Sequence, residues 1–171
     1  MICFETERLL VRHLDPDDLD ELATLCADPI TMQYMGDGET LPREECARWI
    51  DICQAKYRDR GYGTSGVFER ATRDFIGICG VIRAPDRNFD EIIYAYAPRY
   101  WGKGYATEVA RSMLNYVFNL SSLTKIYATI HNENHISQRM MAKIGMVFVE
   151  DQHEADGNIT KVYLIKKDEV A

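Results

Sequence analysis

The chain is predicted to be an α/β (α+β) protein in which strands and helices alternate. Two observations predict it. Short apolar runs with strand spacing recur between longer stretches that carry a helical apolar stripe, and no repeat, linker or low-complexity segment interrupts the alternation. One junction, Trp101-Gly102-Lys103-Gly104-Tyr105-Ala106, carries the chain from an apolar run straight into a helix-like segment. At 171 residues the chain suits a single domain spanning 1–171, large enough to bury a core.

Arg8 to His13 alternates Leu9 and Val11 with basic residues, as a half-buried strand does. Asp15-Pro16-Asp17-Asp18 opens a helix, with Asp15 as N-cap and Pro16 in the first turn, where an N–H would lack a partner anyway. Leu19, Leu22, Ala23, Leu25 and Cys26 form its apolar stripe. Asp28-Pro29 ends it, because the residue before proline is pushed out of helical conformation. A second helical region, Thr40 to Arg60, starts near Pro42 after Gly36-Asp37-Gly38. Tyr62 to Glu69 and Phe75 to Arg83 are strands joined by the turn Ala71-Thr72-Arg73-Asp74. After a turn over Pro85 to Asn88, Glu91 to Tyr96 is the strand that feeds the glycine junction. The helix that follows, Thr107 to Asn119, buries Val109, Met113, Leu114, Val117 and Phe118. Lys125 to His131 is a strand, Ser137 to Lys143 a short helix ended by Gly145, and Val147 to Gln152 another strand. Asp156-Gly157 turns the chain into a last strand, Thr160 to Ile165.

Composition narrows the function classes. With 46% hydrophobic and 27% charged residues the chain has the balance of a globular cytoplasmic protein. No apolar stretch approaches a membrane span, and the N-terminus lacks the basic and apolar regions of a signal peptide. A net charge of −7 argues against nucleic-acid and membrane partners and suits an amine substrate only weakly. The five cysteines, Cys3, Cys26, Cys46, Cys53 and Cys79, form no C-x-x-C pair and read as free thiols. No histidine pair has metal-ligand spacing, so no metal is expected.

The glycine junction carries the chemistry. A strand that ends in a glycine loop and opens a helix points unbonded backbone N–H groups, at the positive end of the helix dipole, toward one spot; that geometry binds phosphate. Glycines let a diphosphate approach the backbone. Two nucleotide-binding loops are excluded: a Rossmann fingerprint needs glycine where Thr107 stands, and a P-loop needs serine or threonine where Gly104 stands. The loop by itself also fits an ordinary strand-to-helix turn.

Several blocks together resemble the GNAT superfamily of acetyltransferases. That family carries Gln/Arg-x-x-Gly-x-Gly/Ala where its central strand meets its main helix. Trp101-x-x-Gly104-x-Ala106 occupies this register with Trp in place of Gln/Arg. Arg99-x-x-Gly102-x-Gly104 also fits two residues earlier, but the spacing from Pro98 favours the later register. The run Tyr100 to Glu108, the opening Thr6 to Arg12, Ala27-Asp28-Pro29, and Asn134-x-x-Ser137 with Lys143-Ile144-Gly145-Met146 resemble the branch that includes the RimJ and RimL N-terminal acetyltransferases. The resemblance runs from about residue 4 to 165. It implies a mixed, mostly antiparallel sheet, splayed between its fourth and fifth strands, with helices on both faces.

What the resemblance implies for the site follows from acetyl transfer, which needs a held cofactor, a neutral amine, and donors for the oxyanion and the departing thiolate. The amides of Trp101, Gly102, Lys103, Gly104, Tyr105 and Ala106 would hold the diphosphate of acetyl-CoA. The backbone of Tyr94, Ala95 and Tyr96 would pair with its pantetheine arm as an added strand, and one of these amides would polarise the thioester carbonyl. Asn134 and Ser137 match cofactor-contacting positions, although an Asn here also suits a turn and Ser137 also suits the N-cap of the helix it opens. Many relatives place a tyrosine general acid seven residues after this Asn, and here that position is Met141. The donor is then Ser137, Tyr94 or Tyr96. The base falls to Glu91, with Asp90 or ordered water as alternatives. Asp151, Glu154 and Asp156 cluster where relatives line the acceptor groove, but a solvated hairpin is the favoured account; Lys161 stands near a position that is often acidic in peptide-acetylating relatives, which counts against a peptide N-terminus as acceptor.

The leading reading is an acetyl-CoA-dependent N-acetyltransferase that works by direct attack in a ternary complex, on a small-molecule or peptide amine, as monomer or homodimer. A covalent cysteine intermediate is disfavoured, since no cysteine has a motif partner. A catalytically weak acetyl-CoA-binding sensor or interaction module, kept open by Met141, is the alternative. Transfer of a longer acyl group also stays open.

Overall fold

In a computed structural model that describes residues 1–170, the strands form one eight-stranded sheet. In chain order the elements are β1 (Ile2–Glu5), β2 (Leu9–His13), α1 (Leu19–Cys26), α2 (Pro29–Met32), α3 (Arg43–Arg60), β3 (Thr64–Glu69), β4 (Phe75–Arg83), β5 (Asp90–Tyr96), α4 (Tyr105–Leu120), β6 (Lys125–His131), α5 (His135–Lys143), β7 (Val147–His153) and β8 (Ile159–Lys166). The strands lie in the order β1-β2-β3-β4-β5-β6-β8-β7. Every neighbouring pair is antiparallel except β5 and β6. The mixed, mostly antiparallel sheet with helices on both faces is the expected architecture.

Two apolar layers sandwich the sheet. One joins α4 and α5 to Leu9, Val11, Val67, Val81, Ile126 and neighbours. The other joins α1, α2 and α3 to Leu10, Phe68, Phe75, Ile78 and Ala95. Coverage of both faces corrects the half-buried reading of β2: Leu9, Leu10 and Val11 are all buried, with Leu10 under the α1–α3 layer.

Other differences have local causes. β1 was not foreseen; it is four residues long, has no fully buried residue, and is defined by its pairing with β2, a non-local contact. Asp15 caps as expected, but its turn is a 3-10 turn over Pro16–Asp18, locked reciprocally by Asp17 N–H to Asp15 at 3.0 Å and Asp15 N–H to Asp18 at 2.9 Å. Asp28-Pro29 ends α1 and also starts α2, because the Asp28 carboxylate accepts from the N–H groups of Ile30 and Thr31. α4 begins at Tyr105, two residues before the expected start. α5 begins at His135, since Asn134 is its N-cap.

Gly77 sets how closely β4 approaches β5. A Cβ there would lie 2.2 Å from the Ala95 carbonyl oxygen, so only glycine fits. The strand bulges at this point, where Val67 faces Gly77 but Phe68 faces Phe75. All five cysteines are free, four of them buried. No helix among the described residues is long and apolar enough to cross a membrane.

Candidate active site

The sheet opens beside Glu91. β5 pairs with β4 along its whole length, from Arg83↔Asp90 to Gly77↔Tyr96. On its other side it pairs with β6 at a single register position, Glu91↔Tyr127. This is the expected splay, between the fourth and fifth of the seven foreseen strands. Past Glu91 the β6-facing edge of β5 has no ladder partner, although Trp101 Nε1 donates to the Tyr96 carbonyl oxygen at 2.6 Å.

The glycine junction follows directly. Gly102 and Gly104 have φ of 75° and 80°, left-handed values that favour glycine. Gly104 is the N-cap of α4, and no side chain caps that helix end. The first-turn N–H groups of α4 therefore remain available at its positive end. A Cβ on Gly102 would meet nothing within 4 Å, and one on Gly104 would come no nearer than 3.6 Å, to Arg8 Nη2. Tyr105 turns its ring into the core and donates its hydroxyl to Glu69 at 2.7 Å. Lys103 lies 5.1 Å from the Tyr100 ring.

Two clefts meet beneath these elements. One, of about 510 Å³, is lined by Tyr94, Ala95, Tyr96, Trp101, Gly102 and Ala106, with Asn134 and Ser137 across from them. The second, of about 760 Å³, is lined by Glu91, Thr129, His131, Arg87, Glu154 and Asp156, among others. Tyr94, Asn134 and Ser137 line both, under the segment that begins Gln33-Tyr34-Met35. Of the expected residues, Lys103, Gly104 and Tyr105 are not among the lining groups; they stand at the rim, at the start of α4.

The junction of the clefts is rich in hydroxyls. Tyr94 and Tyr96 each bury a hydroxyl with no hydrogen bond of normal geometry. Burial pushes both phenols well above the usual tyrosine range, with Ser137 close enough to temper the effect at Tyr94. Both therefore keep their protons at all working pH values. Asn134 Oδ1 accepts from the Ser137 N–H at 3.1 Å, which identifies Asn134, and not Ser137, as the cap. The Asn134 NH2 has no partner among the described residues. Met141, where many relatives carry the acid, is on the core face of α5 and wholly buried.

The two carboxylates at the start of β5 separate. Asp90 accepts from Tyr62 and from Arg83, each at 3.1 Å, and does not line either cleft. Glu91 lines the larger cleft and accepts from the Thr129 hydroxyl at 2.6 Å. Burial raises its pKa, while Thr129 and the nearby Arg87 guanidinium pull it back. Arg87 also ties to Glu154 at 2.6 Å across the cleft mouth. Asp151 instead pairs with Lys161 at 2.9 Å, outside the cleft. Sequence reasoning missed Thr129, Arg87 and the stack of Tyr34 on His131 (ring centroids 5.1 Å apart). Thr129 had one signal: it stands two residues before His131 on the strand that ends at the polar run His131 to His135.

Comparison with known proteins agrees with this arrangement. The family model for the acetyltransferase (GNAT) domain matches residues 8–147. The uncharacterized protein YkkB of Bacillus subtilis is 33% identical over 146 residues, covering 82% of this chain and 83% of its own. A GNAT-family acetyltransferase from Bacillus anthracis superposes with a TM-score of 0.84 at 25% identity, over 99% of this chain and 100% of that one. RimL, the ribosomal L7/L12 α-N-protein acetyltransferase solved with coenzyme A, shares the fold with a TM-score of 0.84 at 13% identity, over 99% of each chain.

Proposed function

This chain belongs to the GNAT family of acetyltransferases, and we propose that, as one domain, it moves the acetyl group of acetyl-CoA onto a primary amine by direct attack in a ternary complex. The observation that carries this reading is the meeting of the two clefts at Tyr94, Asn134 and Ser137. The smaller cleft runs along an unpaired strand edge to an uncapped helix N-terminus, which suits an extended amide-bearing arm that ends in a diphosphate. The larger holds a buried carboxylate, which suits an amine.

The residues fit acetyl-CoA on the structure's own terms. Gly102 and Gly104 leave open the space their side chains would fill, and the hydroxyls of Tyr94 and Tyr96 lack partners. When bound, acetyl-CoA supplies the acetyl group as an activated thioester. Amides from Trp101 to Ala106 would hold the diphosphate, the β5 backbone would align the arm, and the Asn134 NH2 would donate to it. An ammonium that becomes an amide loses two protons. Glu91 would take one and pass it to solvent before attack, and Tyr94 and Ser137 would be the groups that relay the other to the departing sulfur.

The test is CoA release with a panel of polyamines, amino sugars, amino acids and peptides. Amine-stimulated release supports the transferase. Saturable acetyl-CoA binding with no amine-stimulated release would instead support a sensor.

A further inference from the structure

Glu91 is joined to the other half of the splayed sheet by one side chain. Thr129 stands on β6 two residues past Tyr127, the register partner of Glu91, and donates its hydroxyl to Glu91 Oε2 at 2.6 Å, just where the strands part. That bond fixes one carboxylate oxygen. The other, Oε1, has no hydrogen bond among the described residues and belongs to a side chain that lines the acceptor cleft. We infer that Thr129 is a positioning residue for Glu91: its hydroxyl turns the carboxylate so that Oε1 faces the acceptor, and it helps keep the carboxylate ionised. The inference rests on the reading of Glu91 as the base, but it can fail independently of that reading.

The second role follows from how few groups counter the burial of Glu91. Glu91 is buried, with only 7% of its surface exposed, so burial favours its neutral form, which cannot accept a proton. The groups facing it are few. Arg87 comes from the β4–β5 loop and is already shared with Glu154 of the β7–β8 hairpin. His131 lies further along β6, and Asp37 and Asp86 on loops and Asp156 at the hairpin tip line the same cleft. Thr129 is the group that donates directly to the carboxylate.

The test needs no acceptor. Carbon-13 labelled glutamate reports the Glu91 carboxyl titration in the free protein, its resonance assigned by loss in Glu91→Gln. Thr129→Val keeps the shape and removes the donor, and should move the Glu91 midpoint upward by about one pH unit. Thr129→Ser should restore it. If Thr129→Val does not fold, Thr129→Ala carries the same measurement. A midpoint unchanged in a folded donorless variant, or one that Ser does not restore, overturns the inference. In kinetics, the acid limb of kcat/KM for an accepted amine should move up with the same midpoint; loss uniform across pH overturns positioning in favour of substrate contact. The base reading fails by a different result: an acid limb that survives intact in Glu91→Gln.

Discussion

Arg8, just before β2, donates to Glu108 in the first turn of α4 through Nε at 2.8 Å and Nη2 at 2.6 Å, and its Nη1 donates to the Lys103 carbonyl at 2.9 Å. Chain segments 100 residues apart thus hold the glycine junction in place. The carbonyl of Lys103, inside the loop, is held by this contact. Ordering of the loop, and not overall stability, is the role that follows.

Arg8→Gln should therefore raise the Kd for acetyl-CoA several-fold while stability falls by less than about 1 kcal/mol, the usual range for an exposed pair. Calorimetric titration and thermal melts measure both. A large drop in Tm with unchanged Kd would make the contact a structural brace only.

Gly104→Val adds a branched Cβ at a residue with φ of 80°, beside the first N–H groups of α4. Affinity for acetyl-CoA should fall roughly ten-fold or more, since the branch blocks approach to the amides. A folded variant with wild-type affinity would remove the junction from the site.

Because Asn134 and not Ser137 caps α5, Ser137→Ala removes no cap. Stability should change little, acetyl-CoA affinity should stay within about two-fold, and turnover should fall about ten-fold or more if the hydroxyl serves the departing sulfur. Unchanged turnover per folded molecule would leave Tyr94 as the donor.

The neighbours Asp90 and Glu91 should part company. Asp90→Asn disturbs a buried acceptor for Tyr62 and Arg83, so it should cost about 1–3 kcal/mol of stability and leave kcat/KM per folded molecule unchanged. Glu91→Gln should lower kcat/KM at neutral pH, with partial recovery as rising pH deprotonates the free amine.

Glu91 also links stability to pH, and the sign follows from its raised pKa, caused first by burial. The folded state holds this proton more tightly than the unfolded chain does. Stability is fully present below the ordinary glutamate range and is lost as pH rises through the folded value. Glu91→Gln abolishes that loss, so its Tm relative to the native protein should climb across that interval. A flat difference would show that Glu91 contributes no linkage.

The glycine junction, β5 and the main helices were legible because their signals are local: apolar spacing, caps and glycines. Asn134 and Ser137 were legible as positions, but their division of labour was not, since capping geometry decides which residue starts α5. The splay came from resemblance alone; nothing in the spacing of β5 or β6 says that two adjacent strands will pair once and diverge. The contacts of Thr129 and Arg87 were hidden for the same reason, even though Thr129 stands close to the polar run His131 to His135. Their partners, Glu91 and Glu154, lie 38 and 67 residues away, and only the folded sheet brings them together.

An open strand edge is also a hazard. Unpaired N–H and C=O groups template strand addition by other molecules of the same protein, the route to aggregation. β5 carries such an edge inside its own sheet, and the indole of Trp101 already occupies the carbonyl at its open end. A ligand that pairs along this edge would therefore also shield the protein from self-association.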